Sequence, residues 1–166
     1  FEFVRDGIRH SADFRLRAVT CAASDVLREG SGYCYAKSHL LAALLRANGV
    51  PTGFCYQRLS LDDAGPPFAL HGFNAVLLPG HGWYRIDPRG NRRGIDAGFS
   101  PTIERLAFTP TLPGEMDLPA IYPDPLPVVV EALRRHSVAG DLARDLPDFT
   151  PSSAECRVGE QERARR

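Results

Sequence analysis

Three residues of the chain, Cys34, His71 and Asp87, have side chains that together can carry out nucleophilic catalysis. A cysteine is a strong nucleophile when its thiolate is stabilised, and a histidine can take up the thiol proton. An aspartate beside that histidine fixes its tautomer and stabilises the imidazolium. The three residues are therefore predicted to form a Cys–His–Asp triad that transfers acyl groups from an amide.

The segment that must position Cys34 is the apolar stretch 33–51, YCYAKSHLLAALLRANGVP. Its apolar residues recur with the 3.6-residue period of a helix and cover most of the circumference, which predicts a buried central helix. Gly49 and Pro51 predict its end, and residues 31–32 are expected to form a flexible approach to its start. Cys34 then lies at the helix N-terminus, where unpaired N–H groups favour a thiolate. Its own backbone N–H is a candidate oxyanion donor.

The composition of three later segments predicts the β-strands that must bring His71 and Asp87 together. Residues 53–61, 70–78 and 82–88 are rich in aromatic and β-branched residues and are separated by turn-forming stretches. An antiparallel meander is the simplest arrangement of such strands after a helix. His71 lies near the start of the second strand and Asp87 near the end of the third, so the two are predicted to be neighbours.

The connection between these two strands decides whether His71 and Asp87 share a face of the sheet. A symmetric turn would place Asn74 opposite Asp87 and would turn His71 to the other face. A connection of odd length, or one bulge, places Phe73 opposite Asp87 and makes His71 a diagonal neighbour on the same face. The triad therefore predicts an odd-length loop or a bulge within residues 79–82.

Three blocks of the sequence, GYCYAKSHLLAALLRANGVP, HGFNAV and GWYRIDPRGN, resemble the transglutaminase-like superfamily. In this order they correspond to a cysteine that opens a helix, a histidine that opens a strand, and an aspartate followed by proline. The superfamily includes transglutaminases, peptide N-glycanases and bacterial proteins described as cysteine proteases. The resemblance covers residues 20–92 and implies a papain-like α+β fold, with Cys34, His71 and Asp87 as the triad and no required cofactor.

The second oxyanion donor is where the sequence departs from related proteins. Papain relatives carry a glutamine six residues before the cysteine, and this chain has Arg28 there. Gln57 and Tyr56, on the strand after the central helix, are the candidate donors. Both residues could equally be polar side chains of an edge strand.

Further residues are candidates for the substrate cleft. The histidine block continues with Gly72 and Phe73, where the superfamily usually has an apolar residue and a tryptophan, so an aromatic stays beside the histidine. Trp83 is interpreted as an aromatic of the core or of the cleft wall. Arg89 begins a basic run that is either a solvated loop or a rim for an acidic or carboxyl-terminal group of the substrate.

Composition and charge limit the other possibilities. The chain has 166 residues, of which 43% are hydrophobic, and its 20 basic and 20 acidic side chains balance. This balance gives no electrostatic reason to expect nucleic acid or an anionic membrane as a partner, and no apolar run is long enough to span a bilayer. Residues 1–150 are predicted to form one domain, and residues 151–166, which lack an apolar period, to form a flexible tail.

The four cysteines are too scattered for a disulfide framework, which favours a reducing, cytoplasmic setting. Three of them are interpreted as ordinary thiols: Cys21, Cys55 and Cys156. The triad side chains are also acceptable zinc ligands. No closely spaced ligand pair accompanies them, so no metal site is predicted.

The expected fold is α+β, with a central helix that carries Cys34 packed on an antiparallel sheet of at least three strands. The expected function is acyl transfer from an amide of a peptide, a protein or a small molecule, with water as the acceptor in a protease or amidase. Hydrolysis is favoured because the chain lacks calcium-binding carboxylate clusters like those of animal transglutaminases. Two alternatives remain open: transglutaminase-type transfer to an amine, and a catalytically silent domain of this fold used for binding.

Overall fold

The structure, a computed structural model, describes residues 1–100 and 102–150. In chain order its elements are α1 (Glu2–Gly7), β1 (Arg9–His10), α2 (Ala23–Glu29), β2 (Ser31–Gly32), α3 (Cys34–Ala47), β3 (Thr52–Ser60), β4 (Phe68–Leu78), β5 (Gly82–Ile86), β6 (Met116–Asp117), α4 (Pro127–Arg135) and α5 (Ala139–Leu142). The fold is α+β, as the sequence predicts.

Helix α3 is the central helix of the fold, and its first part is enclosed on all sides. Every residue from Cys34 to Ala42 is buried. Most are apolar, and the polar Lys37, Ser38 and His39 each form a hydrogen bond with a backbone carbonyl oxygen. Beyond Ala42 the helix becomes partly exposed and ends at Ala47. Gly49 follows with φ of 73°, the left-handed conformation that commonly ends a helix at glycine. The predicted helix and its end are confirmed.

The main sheet has four antiparallel strands in the order β5-β4-β3-β6. Strands β3, β4 and β5 coincide with the three predicted segments to within two residues at each end. Strand β6 was not predicted, because only two of its residues pair with β3. The main core fills one face of the sheet, and a smaller cluster of Cys55, Phe73 and Ala75 lies on the other.

Strands β1 and β2 form a short parallel pair immediately before α3. Arg9 pairs with Ser31 and His10 with Gly32, and both residues of β2 are buried. A Cβ at Gly32 would lie 2.9 Å from Ala36 Cβ, so glycine allows the first turn of α3 to pack against β2. The prediction of a flexible approach is wrong, because hydrogen bonds to β1 hold this segment.

The hairpin between β4 and β5 has a connection of odd length. Leu78 pairs with Gly82, so the loop consists of three residues, 79, 80 and 81. Continued by one position beyond β5, this register places Phe73 opposite Asp87 and leaves His71 as a diagonal neighbour on the same face. The predicted odd-length loop is confirmed.

The last part of the described chain supplies two helices. Helix α4 begins at Pro127 and buries Val129, Ala132 and Leu133 in the main core. Residues 151–166, predicted to form a flexible tail, lie outside the described residues, so the domain boundary at residue 150 stays a prediction. Within the described ranges no helix combines the length and apolar character that crossing a membrane requires.

Candidate active site

Cys34 is the first residue of α3 and lines a cavity of about 490 Å³. The preceding residue, Tyr33, has an extended backbone, so the N–H groups of the first helical turn have no acceptor within the helix. These groups and the helix dipole favour negative charge at this end of α3. Cys34 is 7% exposed, and the cavity is the side from which a substrate can reach it.

A glycine in β4 allows the start of α3 to lie directly against the strand. A Cβ at Gly72 would lie 2.9 Å from Tyr35 Cδ1 and 3.4 Å from Tyr35 Cα. The Tyr35 hydroxyl also donates a hydrogen bond to the carbonyl oxygen of Leu70. His71 lies between these two strand residues, so the same contacts bring it next to Cys34. The departure from the usual apolar residue at position 72 thus has a structural reason.

His71 and Asp87 form a buried hydrogen-bonded pair. His71 Nε2 lies 2.7 Å from Asp87 Oδ2, and Asp87 is completely buried. The carboxylate also accepts hydrogen bonds from the backbone N–H groups of Arg89 and Ala107, both at 3.0 Å. Burial alone would raise the pKa of Asp87, but the charge of His71 and these hydrogen bonds lower it below its ordinary value. Asp87 is therefore held as a carboxylate.

The charges around His71 favour its protonated form. Burial alone would lower the pKa of His71, but the charges of Asp87 and Cys34 and hydrogen bonds to both side chains raise it to about 10. Because Nε2 contacts Asp87, Nδ1 is the ring nitrogen left for the Cys34 thiol. The arrangement can hold the proton that leaves the sulfur, which is the first requirement of thiol catalysis.

Two aromatic rings pack against the imidazole of His71 and restrict its orientation. Phe73 stacks on it with ring centroids 5.8 Å apart, and Phe108 meets it edge-on at 4.9 Å. Phe108 also lines the cavity, whereas Phe73 is completely covered and does not. Phe73 thus supports the histidine from behind, and the structure does not place it on the wall of the Cys34 cavity.

The two other predicted cleft residues lie in different environments. Trp83 pairs with Leu77 near the loop end of the hairpin, so the structure places it in another cavity, of about 430 Å³. Arg89 does line the cavity with Cys34. Its guanidinium donates hydrogen bonds to both carboxylate oxygens of Asp13, at 2.7 and 2.9 Å, so it is already paired within the wall.

The two predicted oxyanion side chains are not brought to the cavity. Gln57 uses both amide hydrogens, on the carbonyl oxygen of Phe108 at 3.2 Å and on Asp117 Oδ1 at 3.0 Å. The Tyr56 hydroxyl accepts a hydrogen bond from the backbone N–H of Leu126 at 3.1 Å on the other face of the sheet. Successive residues of a strand point to opposite faces, and here both side chains end in buried contacts and neither lines the cavity. The backbone N–H at the start of α3 is the predicted donor that belongs to the cavity.

The alternative of a zinc site has no support in this geometry. His71 Nε2 and Asp87 Oδ2 are bonded to each other at 2.7 Å, so they do not converge on a common ion position. Among the residues that the structure describes, no three His, Cys, Asp or Glu side chains are grouped as metal ligands.

Sequence reasoning missed two polar residues of the cavity wall, His10 and Asp13. His10 Nδ1 lies 3.7 Å from Asp13 Oδ1. Both precede the blocks that carry the family resemblance, and they reach Cys34 only because β1 pairs with β2. The available signal was a histidine and an aspartate three residues apart, in the stretch between α1 and α2.

Lys37, the only lysine of the chain, is completely buried one turn into α3. Its ammonium donates hydrogen bonds to the carbonyl oxygens of Arg5, at 3.0 Å, and Ile8, where α1 ends. Burial and the charge of Arg89 lower the pKa of Lys37 to about 8. The side chain joins α1 to the helix that carries Cys34.

A comparison with protein families agrees with this architecture. A model of the transglutaminase-like superfamily matches residues 1–88, a stretch that contains Cys34, His71 and Asp87. No curated protein matches the chain at a significant level. The family match covers more than half of the 166 residues. The chain therefore belongs to the transglutaminase-like superfamily.

Proposed function

We propose that the chain is a thiol-dependent acyl-transfer enzyme that acts on an amide bond, as a cysteine protease or amidase. The observation that carries this proposal is the buried hydrogen bond between Asp87 and His71, because His71 lines the same cavity as Cys34. In proteins generally, moving each ion of such a pair out of water costs on the order of several kcal/mol before the attraction between the two charges offsets it. A merely structural cysteine would need no such pair beside it.

The first half of the reaction is acylation of Cys34. The Cys34 thiolate attacks the amide carbonyl, while the proton from the thiol resides on His71 and Asp87 stabilises the imidazolium. The backbone N–H at the start of α3 donates a hydrogen bond to the oxyanion. When the C–N bond breaks, His71 gives its proton to the departing nitrogen, which leaves as an amine. A thioester on Cys34 remains.

The second half transfers the acyl group to an acceptor. With water, His71 takes one proton, the hydroxide attacks the thioester carbonyl, and the C–S bond breaks to release a carboxylic acid and restore Cys34. With a primary amine, the same steps form a new amide, which is transglutaminase chemistry. We propose water as the acceptor and a peptide, protein or small amide as the substrate. We also propose a reducing, cytoplasmic setting, because the four cysteines of the sequence are too scattered for a disulfide framework.

Alkylation by iodoacetamide tests whether Cys34 is activated. At pH 7, with the modified sites identified by mass spectrometry, we expect Cys34 to react much faster than Cys21. Cys21 is the matched comparison because it is more exposed than Cys34, while partial burial raises its pKa. Equal or slower reaction of Cys34 would contradict an activated thiol and would favour a silent binding domain.

Turnover of fluorogenic peptide amides tests the reaction itself. Wild type and the control variant Cys21→Ala are expected to release the amine product, and Cys34→Ala to release none. Addition of hydroxylamine or a primary amine distinguishes the acceptors, because an amine-transfer enzyme forms the new amide in preference to the acid. Cleavage that survives Cys34→Ala would refute the proposal.

A further inference from the structure

His10 is a buried titratable residue of the Cys34 cavity that has no role in the reaction described above. The pairing of β1 with β2 places His10 opposite Gly32, two residues before Cys34. His10 is 6% exposed and lines the cavity together with Cys34 and His71. Its ring packs edge-on against Tyr33, with centroids 5.5 Å apart. The residue is therefore fixed close to the reacting sulfur.

The surroundings of His10 keep its imidazole neutral. Burial lowers its pKa most strongly, the charges of Arg89, Lys37 and His71 lower it further, and Asp13 only partly opposes them, so the pKa falls to about 3. An imidazole of this kind stays neutral at pH 7, so it does not compete with His71 as the acceptor of the thiol proton. It remains a hydrogen-bonding group with one proton on the ring.

The position of Asp13 determines which ring nitrogen of His10 carries that proton. Nδ1 is buried without a hydrogen-bond partner and lies 3.7 Å from Asp13 Oδ1. Asp13 is held as a carboxylate by Arg89: burial alone would raise its pKa, but the hydrogen bond from Arg89 lowers it. A negative oxygen at this distance favours a proton on Nδ1 over a lone pair. Nε2 then carries a lone pair. Because Nδ1 is the nitrogen that is buried against Asp13, we assign Nε2 as the acceptor that His10 offers to the cavity.

We infer that Nε2 of His10 accepts a hydrogen bond from the N–H of the amide that Cys34 attacks. The inference rests on the proposed function and extends it, because it assigns a substrate contact to a residue outside the triad. An ester has oxygen in place of this N–H and cannot make the contact. His10 therefore makes the site select amides over esters of the same acyl group.

A matched pair of substrates tests this contact. An acylated dipeptide is coupled to 7-amino-4-methylcoumarin as an amide and to 7-hydroxy-4-methylcoumarin as an ester, so that the two differ only in N–H against O. His10→Phe keeps the aromatic volume and removes the acceptor. We expect kcat/KM for the amide to fall about tenfold, the effect of one hydrogen bond, while kcat/KM for the ester stays at the wild-type value. Equal losses on both substrates, or no loss on the amide, would overturn the inference.

His39→Phe is the control for this substitution. His39 is also buried, with an Nε2 that has no hydrogen-bond partner, but it does not line the cavity. The variant is expected to leave the ratio of amide to ester turnover unchanged. A change in this ratio as large as that of His10→Phe would also overturn the inference, because it would not be specific to the cavity wall.

Nitrogen-15 NMR tests the same contact without a change at His10 and without turnover. In Cys34→Ala protein we expect a proton on Nδ1 of His10, and an Nε2 resonance that shifts when the coumarin amide is added but not when the ester is added. A proton on Nε2, or no shift with the amide, would overturn the inference. If wild type cleaves no amide although this shift is seen, the proposed function fails while the contact of His10 with an amide N–H stands.

Discussion

Asp87→Asn removes the negative charge beside His71 and keeps the size of the side chain. In the wild type the carboxylate accepts hydrogen bonds from the backbone N–H groups of Arg89 and Ala107 and contacts His71 Nε2. Asparagine offers one oxygen for these three groups, so its NH₂ meets either the Arg89 N–H or Nε2. In both orientations His71 loses the charge that stabilises its imidazolium, and its pKa falls from about 10 towards its ordinary value.

The size of the effect follows from the geometry of the pair. Unit charges at the 2.7 Å that separates Nε2 from Oδ2 attract by about 6 kcal/mol at an effective dielectric constant of 20. The two backbone N–H groups already offset part of the carboxylate charge, so we take roughly half of this value, about 3 kcal/mol. That free energy shifts the balance between the thiolate–imidazolium pair and the neutral pair by about a hundredfold. We expect alkylation of Cys34 at pH 7 to slow by about tenfold to a hundredfold.

The assay is the rate of iodoacetamide modification at Cys34, with circular dichroism and thermal unfolding to establish that the variant is folded. Asp145→Asn is the matched control, because Asp145 lies 2.8 Å from His136 in an exposed pair outside the cavity. This control is expected to react at the wild-type rate. A folded Asp87→Asn protein that alkylates as fast as wild type would refute the reasoning, since the buried carboxylate would then contribute nothing to the thiol.

Three further outcomes are expected. Gly72→Ala places a Cβ 2.9 Å from Tyr35 Cδ1, so the free energy of unfolding in urea should fall by about 1–3 kcal/mol and alkylation of Cys34 should slow; wild-type values of both would contradict the close packing. Gln57→Ala should lower the free energy of unfolding by about 1–3 kcal/mol, because its buried hydrogen bonds are lost, but should leave the alkylation rate of Cys34 unchanged. Slower alkylation of Cys34 would indicate that Gln57 does act at the site. The pKa of His71 is raised to about 10 on folding, so its interaction with the carboxylate stabilises the fold fully below pH 6.5 and is lost as the pH rises through about 10. The free energy of unfolding in urea should therefore decline over this range in the wild type but not in His71→Phe. If the decline persists in His71→Phe, another group causes it.

The sequence was sufficient to predict the elements that carry Cys34, His71 and Asp87, because the patterns of these elements are local. The apolar period of residues 33–51 predicts α3, and the three aromatic and β-branched segments predict β3, β4 and β5. The parity of the hairpin loop could also be derived, since His71 and Asp87 can share a face only with an odd connection or a bulge. These features depend on spacing along the chain, which the sequence records directly.

The rest of the cavity depends on contacts between segments that are distant in the sequence, and the spacing of residues along the chain does not predict such contacts. His10 reaches the site only through the two-residue pairing of β1 with β2, which is too short for a periodic signal. Gln57 and Tyr56 have the chemistry of oxyanion donors, but their buried partners lie beyond residue 90, in loops and in the two-residue strand β6. Trp83 was placed near the cleft by its chemistry, whereas its position at the loop end of the hairpin takes it elsewhere.

The burial of Lys37 allows chemical modification of its amine to report on local opening between α1 and α3. Lys37 is the only lysine in the sequence, so its side chain is the only one that carries a primary amine. Its ammonium is covered where α1 ends on α3, so an amine-directed acylating reagent can modify it only in molecules in which these helices have separated. The rate of that modification therefore measures how often the support of the Cys34 helix loosens in the native protein.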